Sequence, residues 1–215
     1  MKGPRVARMV DKQEKAERIG AAAIEQMRQL GYHRARMADI ARAADVGKGT
    51  LYEYFRNKEE ILRFEFDRYF AAFETAAATA MARAGSPAAQ LLELVRFAFQ
   101  HLREWESHCA VYVDYFGSAR PEDGAAFSLA PIYGDVEQRI RALIEQGKAA
   151  GEVEPDVDEA ATAELLVSVF DGVVLHGVFI GRSDGTDALL DAALRLVERG
   201  MLVREGAQPS ALGAG

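Results

Sequence analysis

Residues 37–44 and 48–55 each repeat apolar side chains at helical spacing, and only Asp45, Val46 and Gly47 lie between them. Three residues are too few to fold one helix back antiparallel on the other, so the pair has to cross, as in a helix-turn-helix unit. The turn chemistry agrees with this. Asp45 belongs to the few residue types besides glycine that tolerate a left-handed conformation, and Gly47 can open the second helix as an N-cap without a capping side chain.

At 100° per residue, Leu51 and Phe55 fall about 40° apart and define the buried side of the second helix. Gly49 and Glu53 face the opposite way, with Thr50 and Tyr54 on one flank and Lys48 and Tyr52 on the other. An outward glycine lets the backbone approach base edges, and flanking tyrosine hydroxyls can donate to phosphates across a groove. Glu53 would accept from a cytosine amino group if it reached a base. Lys58 follows Asn57 in the first turn of the next helical pattern, where an ammonium and a helix N-terminus can together grip a phosphate.

Charge places this unit at the polyanion-facing end. The first sixty residues hold thirteen Lys and Arg against nine Asp and Glu, whereas the whole chain of 215 residues carries a net charge of −7, so the remainder is strongly acidic. A basic coat over the whole protein is excluded. With 49% hydrophobic and 27% charged residues the composition is that of a globular chain. One cysteine, Cys109, forbids an intrachain disulfide and fits a reducing, cytoplasmic compartment. The charged first twenty residues lack a signal-peptide core, and Leu165–Ile180 is interrupted by Ser168, Asp171 and His176, so neither export nor a membrane partner is expected.

Helical periodicity continues through most of the chain, with breaks at Gly31, Gly85-Ser86-Pro87, Gly117–Gly124, Gly151–Pro155 and Gly181–Gly185. The alternation Val111–Tyr115 reads as helix because its neighbours on both sides are helical. An all-α chain of about nine helices is expected. Its organisation is expected to be a basic flexible leader over 1–12, with Lys2, Arg5, Arg8 and Lys12, then a helix-turn-helix domain over 13–60. A helical domain for ligand binding and dimerisation follows over 61–205, and a flexible tail over 206–215.

The stretch Ile19–Leu62, with its core MADIARAADVGKGTLYEYFRNKEEIL, resembles the DNA-binding domain of TetR-family transcriptional regulators. Gly49-Thr50-Leu51-Tyr52 with Tyr54, Phe55 and Lys58 is the most telling part. The resemblance implies an N-terminal three-helix DNA-binding domain joined to a larger helical domain. It also implies a homodimer on a palindromic double-stranded operator, acting as a repressor that a small molecule releases. By position, Lys48 and Gly49 match base-contacting residues, and Thr50, Tyr52, Tyr54 and Lys58 match phosphate-contacting ones. Two departures stand out. Arg36 replaces the usual capping Thr or Ser, trading a cap for a phosphate contact, and the turn reads Asp45-Val46-Gly47 in place of Gly-Val-Ser.

Beyond the DNA-reading unit, Phe97, His101, Trp105, His108, Tyr112, Tyr115 and Phe116 concentrate rings and polar handles. The steps of four, three and four from His101 to Tyr112 put amphipathic side chains on one helical face, which suits a pocket for an apolar or aromatic effector. Phe170 and His176, in a later apolar helix, join the candidate pocket. His101, Glu104 and His108 share a face, but no HExxH or paired-cysteine pattern supports a metal site. Neither a phosphate-binding loop nor a nucleophile elbow supports an enzyme, and no cofactor is implied. Leu189, Ala193, Leu196 and Gly200 form one stripe beside a second of Leu190, Leu194, Val197 and Met201, too broad for one neighbouring helix. With notches at Gly172 and Gly177, this favours a four-helix homodimer interface within 158–203. A helical binding or scaffold protein whose helix-turn-helix no longer engages DNA remains the alternative.

Overall fold

The computed structural model describes residues 4–118, 128–182 and 185–203. Among the described residues there are nine α-helices: α1 Pro4–Leu30, α2 Met37–Ala43, α3 Lys48–Tyr54, α4 Lys58–Met81, α5 Pro87–Gln100, α6 Leu102–Ser118, α7 Ala130–Ala149, α8 Glu159–Ile180 and α9 Thr186–Met201. The helical reading of Val111–Tyr115 holds, inside α6. Helix α1 includes residues 4–12, which composition alone suggests as a loose leader; that segment continues the helical backbone. The expected tail over 206–215 lies outside the described residues.

The breaks have identifiable causes. Gly31, Gly151, Gly181 and Gly185 all have positive φ, and among the described residues Asp45 is the non-glycine residue that shares this conformation, at φ 51°. Ser86 caps α5 by accepting from the Ala89 amide, with Pro87 behind it. Asp158 caps α8 in the same way through the Ala161 amide. The boundary between α5 and α6 falls at His101, with no glycine or proline to announce it.

The chain forms two compact units, Met1–Glu74 with Ser107–Ser128, and Thr75–Glu106 with Leu129–Gly215. Helices α4 and α6 each contribute residues to both. In the first unit, Ile19, Met27, Ile40, Leu51, Ile61 and Leu62 are fully buried. Glu65 is buried with them and forms a two-bonded pair with Arg68, at 2.7 and 3.2 Å. A Cβ at Gly20 would overlap the Glu65 carboxylate, so glycine is required there for α1 to lie against α4.

In the second unit, α5, α7, α8 and α9 pack around Leu91, Ile140, Leu143, Ile144, Ala163, Val197 and Met201. Glu106 and Arg182 pair at 2.8 Å, each side chain only 11% exposed, and Arg182 also donates to the Val173 carbonyl at 3.2 Å. The Glu106 carboxylate occupies the notch at Gly177, where a Cβ would overlap it. This corrects the expectation that Gly177 opens toward a second subunit: the notch is filled from within the chain. Gly172 has nothing within contact distance of an added Cβ.

Candidate nucleic-acid interface

The turn between α2 and α3 takes the form its residues dictate. Asp45 is left-handed, the Val46 amide donates back to the Ala41 carbonyl at 3.0 Å, and Gly47 is the α3 N-cap with no side-chain cap. Helix α2 ends on Ala44, whose carbonyl accepts from the Arg18 guanidinium of α1 at 3.1 Å. Ile40 and Ala41 turn inward. Arg36 is the α2 N-cap without a side-chain cap bond, and it is exposed.

On α3 the wheel separates as its periodicity requires. Leu51 is 0% exposed, and Phe55, which caps the helix in an extended conformation, is buried edge-on against Phe64. Lys48, Gly49, Tyr52 and Glu53 are exposed, while Thr50 and Tyr54 are half-buried on the flank. A Cβ at Gly49 would meet no atom within 4 Å. Lys12 of α1 stands 5.9 Å from the centre of the Tyr54 ring, which makes that tyrosine part of a cationic edge.

Lys58 starts α4, whose N-terminus is held by Asn57 accepting from the Glu60 amide at 2.8 Å. The Lys58 ammonium is half-buried and donates to the Tyr32 carbonyl at 2.5 Å and the His33 carbonyl at 3.4 Å, with the Tyr32 ring centre 4.3 Å away. Burial pulls its pKa below the usual lysine value, against the opposing pull of Asp114 and Glu59. The sequence pattern offers Lys58 as a phosphate ligand; the structure ties its ammonium to the loop between α1 and α2.

The candidate effector residues divide. Phe97, His101, Trp105, Phe170 and His176 belong to the second unit, and His108, Tyr112, Tyr115 and Phe116 to the first. In the second unit, the Phe170 ring stands edge-on to Phe99 at 5.5 Å and to Trp105 at 6.1 Å, and His101 bonds the Phe97 carbonyl through Nδ1 at 2.8 Å. In the first unit, Tyr112 is buried edge-on against Phe66 and donates to the Leu62 carbonyl at 3.3 Å. Tyr115 packs edge-on against Tyr32, and His108 stacks on Tyr69 at 3.9 Å. Tyr112 and Tyr115 are buried in the first unit, and His108 is half-buried there. Phe116 is 36% exposed, and His176 is exposed, because its position on α8 falls on the side away from Ala163, Val174 and Gly177. The candidate effector residues thus form two groups, one in each unit.

That outer side of α8 is apolar. Leu165 is 62% exposed, Phe179 72% and Ile180 58%, with Val169 and Leu175 between them and Leu196 of α9 at 71%. By length and composition alone α8 would suffice to cross a bilayer. Of the two α9 stripes, Leu194, Val197 and Met201 are buried within the unit, and Leu196 and Gly200 face outward.

Comparison with known proteins agrees with the helix-turn-helix geometry. The description of bacterial regulatory proteins of the tetR family matches residues 19–63, and that of the C-terminal part of BetI-type transcriptional repressors matches residues 87–201. The A-factor receptor protein of Streptomyces griseus is 27% identical over 150 residues, covering 67% of this chain and 48% of its own length. The chain thus spans about half of that relative. The transcriptional regulator AcuR of Cereibacter sphaeroides is 29% identical over 169 residues, 76% of each protein. The fatty acid degradation regulator FadR from Bacillus halodurans shares the fold with a TM-score of 0.73 at 24% identity, over 92% of this chain and 96% of its own. With both its DNA-reading unit and its C-terminal helices matched, the chain belongs to the tetR family of bacterial transcriptional regulators.

Proposed function

We propose that this chain works as a homodimeric repressor that seats two copies of α3 in successive major grooves of a palindromic operator and leaves when a small molecule binds the C-terminal helices. The observation that carries this reading is Gly49, open on the exposed side of a helix whose other side is anchored by the fully buried Leu51. A flat, side-chain-free spot on an otherwise polar face is what close approach to base edges needs. Lys48 and Gly49 would meet bases. Arg36, Thr50, Tyr52, Tyr54 and the remaining donor of Lys58 would meet phosphates, which fix register without reading sequence. Glu53 would read a cytosine amino group. With DNA as the partner, the place of action is the bacterial cytoplasm.

The second copy would cover the outer side of α8 and α9, within residues 158–203. Leu165, Val169, Phe179, Ile180 and Leu196 are too large and too contiguous to be left in water, and a two-fold interface doubles a single patch into a self-complementary one. The effector would be an apolar or aromatic small molecule held near Trp105 and Phe170, the ring cluster that stays in the second unit. Its binding would shift the helix that begins at Lys58 and move the two α3 helices off the spacing of roughly 34–36 Å that successive major grooves demand.

Binding to duplex DNA at varied salt tests the first part. The logarithm of affinity should fall with the logarithm of salt at a slope of about −0.9 per phosphate neutralised, and Arg36→Ala should flatten it by about one phosphate per subunit. Binding without salt dependence would favour a helical scaffold that no longer engages DNA.

A further inference from the structure

Tyr32 lies in the loop that delivers the chain into α2, four residues before the Arg36 N-cap. Both of its backbone polar groups are taken by charged side chains from elsewhere in the same unit. Its amide donates to Asp114 Oδ2 of α6 at 2.5 Å, and its carbonyl accepts from Lys58 Nζ of α4 at 2.5 Å. Its ring is buried, with the Lys58 ammonium 4.3 Å from the ring centre and the Tyr115 ring, set steeply to it, centred 5.0 Å away. Gly31 before it is left-handed, and a Cβ there would stand 3.2 Å from the Asp114 carboxylate.

Helices α4 and α6 therefore hold one peptide segment from its two ends, by hydrogen bonds to ionised groups, which are stronger than neutral ones. Asp114 is itself exposed and contributes nothing to the buried set of Ile19, Ile40, Leu51 and Leu62. Removing its carboxylate takes no side chain out of that core and releases the Tyr32 amide. We infer that Asp114 is a positioning residue for DNA binding, fixing through Tyr32 the orientation in which α2 and α3 meet DNA, while Lys58 divides its ammonium between this loop and the phosphate backbone. The inference rests on the reading of α3 as the DNA-contacting helix.

The sign of the effect separates positioning from plain electrostatics. Deleting a carboxylate from a surface that faces phosphates strengthens binding if charge is all that matters. Positioning predicts the reverse for a two-half-site duplex. The experiment compares the full-length wild type, Asp114→Ala and Asp114→Asn on a duplex selected from a random library by the wild-type protein, and on an unrelated duplex of equal length. Asp114→Ala should lose about tenfold or more on the selected duplex, the scale of a lost hydrogen bond to a charged group. It should bind the unrelated duplex as well as wild type or better. Asp114→Asn keeps a carbonyl oxygen for the Tyr32 amide and should restore most of the loss. Amide exchange at Tyr32 should speed up in Asp114→Ala and stay protected in Asp114→Asn.

Undiminished affinity of Asp114→Ala for the selected duplex overturns the inference, and so does an Asn variant as weak as the Ala variant. An Asp114→Ala chain that fails to fold refutes it too, by showing that the carboxylate serves the core. A wild type that enriches no sequence and binds no duplex overturns the DNA-binding reading itself, a different result from any of these.

Discussion

Gly49 and Leu51 are two residues apart on α3 and should respond to substitution in opposite ways. In Leu51→Ala, a side chain with no exposure loses its buried carbons and leaves a cavity, which costs about 2–5 kcal/mol. Gly49→Val meets no neighbouring atom, and valine is a somewhat better helix former than glycine, so folding should change by no more than about 0.5 kcal/mol. On DNA the order reverses. A branched side chain at Gly49 holds the backbone away from base edges, and the loss of a base contact costs about 1–3 kcal/mol. For a dimer that becomes about 2–6 kcal/mol, roughly 30-fold to more than 10⁴-fold in affinity. Urea unfolding at fixed protein concentration measures the first quantity, and fluorescence anisotropy with selected and scrambled duplexes measures the second. Equal losses of stability from the two variants, or wild-type discrimination in Gly49→Val, would refute the assignment of faces on α3.

Three further outcomes follow from the second unit. Arg182→Met should destabilise by up to about 3 kcal/mol because it strands the largely enclosed Glu106 carboxylate, whereas replacing both partners with apolar residues should cost far less; chemical denaturation of the set checks this. Phe179→Asp should break the proposed homodimer and weaken binding to a two-half-site duplex, as read by sedimentation velocity and anisotropy. Burial raises the Asp171 pKa above its ordinary value, against a hydrogen bond from Tyr133. The folded state therefore holds this proton more tightly than the unfolded chain does. Stability should fall as pH rises from about 4 through the raised value, with a slope of at most about 1.4 kcal/mol per pH unit, and Asp171→Asn should abolish that slope in pH-dependent unfolding.

What was legible in the sequence was local. Leu51, Phe55 and Gly49 sort themselves by the 100° step of one short helix, and Asp45 and Gly47 declare their turn by conformational tolerance, so two dozen residues sufficed to place the exposed side of α3. What was not legible depended on pairs far apart in the chain. Asp114 meets Tyr32 across 82 residues and Glu106 meets Arg182 across 76. No periodicity couples such positions. The clue that was available, a glycine inside a helix, indicated close approach at Gly177 but not by what: a carboxylate of the same chain fills the notch. On α6, likewise, Tyr112 packs against Phe66 and Tyr115 against Tyr32, partners that no local spacing specifies. His176 is exposed because α8 is apolar on its outer side as well, which its composition does not distinguish from a buried side.

Methylation interference on a duplex selected by the wild-type protein tests most directly whether the exposed side of α3 is presented twice to DNA. Two patches of interfering guanine N7 positions are expected in successive major grooves, about 10 base pairs apart and related by a two-fold axis, both lost in Gly49→Val. A single patch, contacts confined to the minor groove, or a pattern unchanged in Gly49→Val would contradict a paired, glycine-centred reading head.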